Sequence, residues 1–192
     1  MDIKQVLLDQ LSGAAAEKLG LRNGLDGAQT NSAVDSALTA ILSGLQGEAS
    51  DTKKASKLDA ALGKDHDGSI LDDLVGTVGS DSTKLDGGKI LEHIFGSKSG
   101  KVADSVAKNS GVSSSAAGDI LETLAPIVLG QLGKQKQSEG FDAGGLINIL
   151  LNQKAGKGDG GLGDVISGMF NKKNAGILAL LFGIFKLFLR KK

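Results

Sequence analysis

Leu7, Leu8 and Leu11, and then Val34, Leu38, Ile41, Leu42 and Leu45, recur three and four positions apart, the spacing that collects apolar side chains on one face of an α-helix. The stripes return later in the chain. Ile90, Leu91, Ile94 and Phe95 match the first set, and Ile120, Leu121, Leu124, Ile127, Val128 and Leu132 match the second. No segment alternates apolar and polar residues with the period of a half-buried strand. The pattern predicts an all-α fold.

The order of segments repeats too. Residues 1–50 run from an apolar-periodic segment through Leu19-Gly20-Leu21 to a long periodic segment ending Gly44-Leu45-Gln46-Gly47. Residues 89–134 follow the same order, with Ser110-Gly111-Val112 in the middle and Gly130-Gln131-Leu132-Gly133 at the end. Internal self-similarity governs an architecture. The expectation is a multihelical array of duplicated helical hairpins, with copies at about 1–80 and 85–153, short glycine-rich connections and a C-terminal apolar helix.

Four short phrases place an aspartate before small residues and then an apolar helix: Asp67-Gly68-Ser69-Ile70, Asp86-Gly87-Gly88-Lys89-Ile90, Asp142-Ala143-Gly144-Gly145-Leu146 and Asp159-Gly160-Gly161-Leu162. A carboxylate at a helix start accepts orphan backbone N–H groups and complements the positive end of the dipole, so these aspartates read as caps, as does Ser113. Pro126, the only proline, falls inside the second long segment and is expected to kink or break it. Residues 154–161, Lys-Ala-Gly-Lys-Gly-Asp-Gly-Gly, read as a flexible linker between a helical body (1–153) and a helical tail (162–192).

Composition narrows this picture. The chain has 192 residues of which 40% are hydrophobic, enough for a sizeable core. Six Phe and no Trp or Tyr leave that core to Leu, Ile, Val and Ala. Glycine, at 29 residues, is about twice its usual share, as expected of many short helices. Cysteine is absent, which removes disulfides, thiolate metal sites and a thiol nucleophile. Met1-Asp2-Ile3-Lys4-Gln5 lacks the basic flank and apolar run of a secretory signal, so a cytoplasmic location is expected.

Charge is balanced overall but not along the chain. After Asp164 no acidic residue occurs, whereas Lys172, Lys173, Lys186, Arg190, Lys191 and Lys192 do; residues 1–170 thus hold 16 basic against 22 acidic groups, a net of −6, and the tail carries +6. Residues 175–189 are nearly all apolar. As a helix they reach about 22 Å, short of the roughly 30 Å hydrocarbon core of a bilayer. On a helical wheel Gly176, Ala179, Gly183, Lys186 and Arg190 share one side, leaving Leu, Ile and Phe over the rest. The candidate contact set for a protein partner or an anionic membrane surface is Ile177, Leu181, Phe182, Phe185, Lys186, Phe188, Arg190, Lys191 and Lys192. Peripheral placement at the inner face of the cytoplasmic membrane is the alternative location.

No constellation points to catalysis. Gly156-Lys157-Gly158-Asp159-Gly160-Gly161 fits G-x-G-x-x-G in letters but lacks a preceding strand, and Gly96-Ser97-Lys98-Ser99-Gly100-Lys101-Val102 is one residue short of a P-loop, with Val102 where a hydroxyl belongs. Asp65-His66-Asp67-Gly68-Ser69-Ile70 matches the middle of an EF-hand loop, yet Gly63 and Leu74 occupy its first and twelfth positions. Calcium or another metal held by Asp65, His66, Asp67, Asp72 and Asp73 is kept as a minor reading. His66 and His93 form no H-E-x-x-H set, and no G-x-S-x-G elbow occurs. Val102 to Ser113 has the small residues of a helix-turn-helix, but the next helix carries Asp119 and Glu122 and no Arg, whereas groove contact needs clustered positive charge. The expectations are no enzyme, no cofactor, no metal and no nucleic-acid partner.

Two stretches carry a family likeness. Lys108-Asn109-Ser110-Gly111-Val112-Ser113-Ser114-Ser115-Ala116-Ala117 through Leu124-Ala125-Pro126-Ile127-Val128, with Asp65-His66-Asp67-Gly68-Ser69-Ile70-Leu71-Asp72-Asp73-Leu74, resembles the YidB-like family of bacterial proteins of unknown function. The resemblance covers most of residues 1–153 and implies an all-helical cytoplasmic domain without assigned activity, cofactor or catalytic residues. The apolar tail with its basic end departs from it. The functional expectation is a non-enzymatic helical interaction or assembly module that engages protein, itself or another. A membrane-associated protein anchored by its tail is the alternative.

Overall fold

The computed structural model describes residues 2–64, 66–152 and 161–170. Among them every regular element is helical: α1 (Ile3–Gln10), α2 (Ala14–Asn23), α3 (Gly27–Ala49), α4 (Thr52–Lys64), α5 (Leu74–Val78), α6 (Asp81–Phe95), α7 (Ser99–Ser110), α8 (Ser114–Glu139), α9 (Ala143–Asn152) and α10 (Leu162–Phe170). Single 3-10 turns occupy Ser69–Leu71 and Gly96–Lys98.

The two long periodic segments become α3 and α8, which pack on each other at the centre. Almost every residue of α3 from Ala33 to Gln46 and of α8 from Thr123 to Gly130 is buried. A helix covered on all sides has no polar face, which is why glycine, serine and threonine rather than charge fill the gaps in their stripes. Around this pair lie α1, α2, α7, α9 and α10 against α3, and α6, α7 and α4 against α8. Leu38, Ile41, Leu42 and Leu45 meet Ile120, Leu121, Leu124, Ile127 and Val128 in one continuous apolar cluster.

A short helix, a left-handed glycine and a long helix opened by a side-chain cap follow one another at α2–α3 and again at α7–α8. Gly24 (φ 65°) ends α2 and Gly111 (φ 71°) ends α7, a backbone conformation that a side chain disfavours. The next helix then opens on a cap. Asp26 accepts from the Gln29 N–H at 2.8 Å, and the Gln29 side chain accepts from the Asp26 N–H at 3.1 Å, a closed capping box. Ser113 Oγ accepts from the Ala116 N–H at 3.1 Å.

Two local expectations are corrected. Asp86 is not a cap, because α6 begins at Asp81 after Ser80 and runs through Gly87-Gly88. Those glycines allow approach: a Cβ at Gly87 would lie 1.6 Å from the Glu122 carbonyl oxygen of α8. Pro126 does not break α8, which is one helix from Ser114 to Glu139. Proline has no N–H to give the carbonyl four residues back, which is that of Glu122. That carbonyl belongs to the residue that Gly87 of α6 approaches. Gly20, Gly44, Gly87, Gly130 and Gly133 lie inside helices, at contacts a Cβ would obstruct.

The end of the described chain is packed. Helix α10 rests on α3 and α7 with Ile166 fully buried, and Lys98 Nζ donates to the Met169 carbonyl. In α9, Leu146 and Leu150 enter the core, and buried Gln46 of α3 donates Nε2 to the Leu150 carbonyl at 2.6 Å.

Candidate functional site

A stripe of glycines on α8 brings the EF-hand-like sequence into contact with the core. A Cβ at Gly133 would sit 1.6 Å from the His66 carbonyl oxygen, and one at Gly130 would sit 2.4 Å from Cγ2 of Ile70. Gly68, with φ 93°, turns the loop directly over Lys134. Residues 66–70 therefore lie flat across α8, and α6 lies on the same helix at Gly87.

Between the loop and α6 an open cleft of about 530 Å³ remains, lined by His66, Asp67, Gly68, Ser69 and Ile70 on one side and Asp86, Lys89 and Ile90 on the other, with Pro126 beneath. Two of the four aspartate phrases of the sequence, 19 positions apart (67 and 86), thus meet at one place. Sequence reasoning singled out both and did not pair them. Lys89, Ile90 and Pro126 were missed as lining residues; the available signal was that both phrases lead into isoleucine.

The polar groups of the cleft are already engaged. Asp67 Oδ1 accepts from the Ser69 N–H at 3.0 Å and from its hydroxyl at 2.7 Å. Those donors, the backbone N–H first, hold the Asp67 carboxyl below the usual aspartate range. Asp86 and Lys89 form an exposed ion pair at 3.3 Å, a contact of small energetic weight. Of the candidate metal ligands, His66 and Asp67 line the cleft, Asp72 is exposed outside it, and Asp73 Oδ1 accepts from the Gly76 N–H at 2.8 Å as the cap of α5. Asp65 lies outside the described residues. Among the described residues no three His, Asp or Glu side chains are grouped to hold a metal ion. His93 is exposed on α6 and does not line the cleft.

A second groove, about 410 Å³, runs between α2 and the start of α3, with Gly13, Ala16, Gly20 and Gly27 on its walls and Glu17 at its rim. Leu21, 76% exposed, stands beside it as the most exposed large apolar residue described. In the remaining Asp-Gly phrases, Asp142 caps α9 by accepting from the Gly145 N–H at 3.0 Å, and its carboxyl is held low by the Gly145 and Gly144 backbone, while Asp159 lies outside the described residues.

The tail candidates Ile177, Leu181, Phe182, Phe185, Lys186, Phe188, Arg190, Lys191 and Lys192 also lie outside the described residues. Among those described, no single helix is long and apolar enough to cross a membrane.

A family model described as "Bacterial protein of unknown function (DUF937)" matches residues 5–135, and the chain belongs to that family. The match spans α1 to most of α8, so it takes in both long helices and the cleft. No curated protein and no solved structure matched the chain.

Proposed function

From membership in this bacterial family, we propose that the chain is a non-enzymatic helical interaction or assembly module, with the YidB-like likeness as its narrower placement and a duplicated helical hairpin as its ancestry. One observation carries the reading: of the carboxylates the sequence offers as metal ligands, Asp67 and Asp73 are engaged by backbone N–H groups, as a turn and as a helix cap. Asp26, Asp67, Asp73 and Asp142 each accept backbone N–H groups, and Asp86 pairs with Lys89. A general acid, base or metal ligand needs a group poised toward substrate instead. Apolar surface remains for docking, with Leu21 foremost. The partner is protein, a second copy in the simplest case, where an isologous dimer presents the same patch twice. Size-exclusion chromatography with light scattering tests this, and a strict monomer at high concentration overturns self-assembly.

A second reading rests on the charge step after Asp164, where six basic and no acidic residues follow. It makes the protein a peripheral one at the cytoplasmic face of a membrane, held to anionic lipid by residues 175–192. Flotation with anionic liposomes of the full chain against a truncation after Phe170 separates the readings. Equal behaviour of the two eliminates the anchor.

A further inference from the structure

Leu21 stands on the wall of the groove between α2 and the start of α3, and both the side chain and the groove face outward. A Cβ at Gly13 or Gly27 on those walls would meet nothing within 4 Å, and the groove's volume of about 410 Å³ is of the size that buries a compact group. An apolar knob and an apolar hole thus lie side by side. Helix α5, packed on α2, adds Val75, so two of the three exposed large apolar residues described belong to this pair of helices. The fold does not require Leu21 to be there. Counting from the left-handed glycine that ends each short helix, Lys108 of α7 stands where Leu21 does, Asp104 where Glu17 does and Ser114 where Gly27 does. At α7–α8 the exposed position is charged, and Asp104 accepts from the Ser114 hydroxyl at 2.7 Å. At α2–α3 the acid has no such donor.

The charges beside Leu21 argue for what covers it. Glu17 and Lys18 are exposed and take part in no ion pair among the described residues, whereas Arg22 is held by Asp81. They lie four and three positions before Leu21, on its side of the helix. One free acid and one free base flanking an apolar knob make a patch that complements itself. A two-fold axis across α2 runs two copies antiparallel, which sets the turn holding Glu17 and Lys18 against the turn of the second copy that holds Leu21. With the crossing at the level of Leu19, Glu17 of one copy and Lys18 of the other are about 4.5 Å apart along the helix axis. A partner of purely apolar or single-signed chemistry would leave one of the two charges unmatched.

We propose that α2 is the surface through which the chain pairs with a second copy of itself: Leu21 of each copy seats in the α2–α3 groove of the other, with Glu17 of each beside Lys18 of the other. This seat rests on the self-assembly reading and fixes which face serves it.

Sedimentation equilibrium of the full chain over a concentration series tests it. Leu21→Lys removes the knob by installing the residue type that α7 carries at the matching place, and Gly27→Leu fills the hole where a Cβ meets open space. Urea unfolding checks that both still fold. Each is expected to raise the dimer dissociation constant about tenfold or more. Glu17→Lys and Lys18→Glu each set like charges against one another and are expected to weaken the dimer several-fold. An equimolar mixture of those two chains sets base against acid at both contacts and is expected to recover the wild-type constant. A dimer that survives Leu21→Lys or Gly27→Leu, or charge variants that gain nothing on mixing, overturns this seat and leaves self-assembly to another face. A monomeric wild type overturns both.

Discussion

Helices α3 and α8 begin alike and end differently. Each is long, buried and opened by a side-chain cap, and each carries a Gly-x-x-Gly near its end, at Gly44 and Gly47 in α3 and at Gly130 and Gly133 in α8. Gly44 faces side chains: a Cβ there would lie 2.2 Å from Cε1 of Phe95 and 2.6 Å from Cγ2 of Ile94. Gly133 faces backbone, the His66 carbonyl, and Gly47 is exposed. The same four-residue phrase therefore admits a phenylalanine in one half and a peptide chain in the other. Side chains can rotate away from an intruding methyl, whereas a carbonyl anchored in its own chain cannot.

That difference orders the expected costs of substitution. Gly133→Ala and Gly87→Ala meet backbone oxygens at 1.6 Å, and overpacking against a part that cannot yield is expected to cost about 3 kcal/mol or more. Urea unfolding gives the number, and a loss under about 1 kcal/mol for both breaks the contrast between the helices. Gly44→Ala is expected to cost less, about 1–2 kcal/mol, because the Phe95 ring can turn. If it destabilises as much as Gly133→Ala, the side-chain seat is as rigid as the backbone one.

A smaller effect concerns how α3 holds α9. Replacing Gln46 with Leu removes the 2.6 Å hydrogen bond to the Leu150 carbonyl and leaves that buried acceptor short of a partner. The expected cost is about 1–2 kcal/mol, with faster amide exchange in Ala143–Asn152 than in α7. Uniform exchange across both helices would show that the bond does not secure α9 locally.

The smallest effect separates loop from core. Donors from Ser69 hold the Asp67 carboxyl low, and donors from Gly145 hold that of Asp142 low. A carboxyl whose folded pKa is depressed contributes stability that is fully present above its unfolded value of about 3.9 and lost as pH falls through the folded value. Wild-type Tm should therefore fall more steeply below about pH 4 than that of the Asp67→Asn/Asp142→Asn variant, and parallel curves would show that other carboxyls govern acid unfolding.

Much of the cleft lay beyond sequence reasoning for a traceable reason. Asp67 and Asp86 were both visible as Asp-Gly phrases and received the same reading, yet one closes a 3-10 turn and the other sits inside a helix. The phrase specifies a carboxylate beside a residue without a side chain. Whether that bare position turns the chain or lets a neighbour in depends on what lies opposite. Nothing local to Gly87 announces the Glu122 carbonyl, 35 positions away in the chain.

The stripes of Leu, Ile and Val and the Ser113 cap were legible in the sequence, since period and caps act within one or two turns. The chain by itself determined that it would be helical, where α3 and α8 would open, and that no thiol chemistry was available. Tertiary structure alone decided which glycines would be crossing points, that α8 would continue through Pro126, and that two distant Asp-Gly phrases would face each other across one cleft. Those outcomes depend on backbone meeting backbone between helices, and such contacts leave no period along the chain.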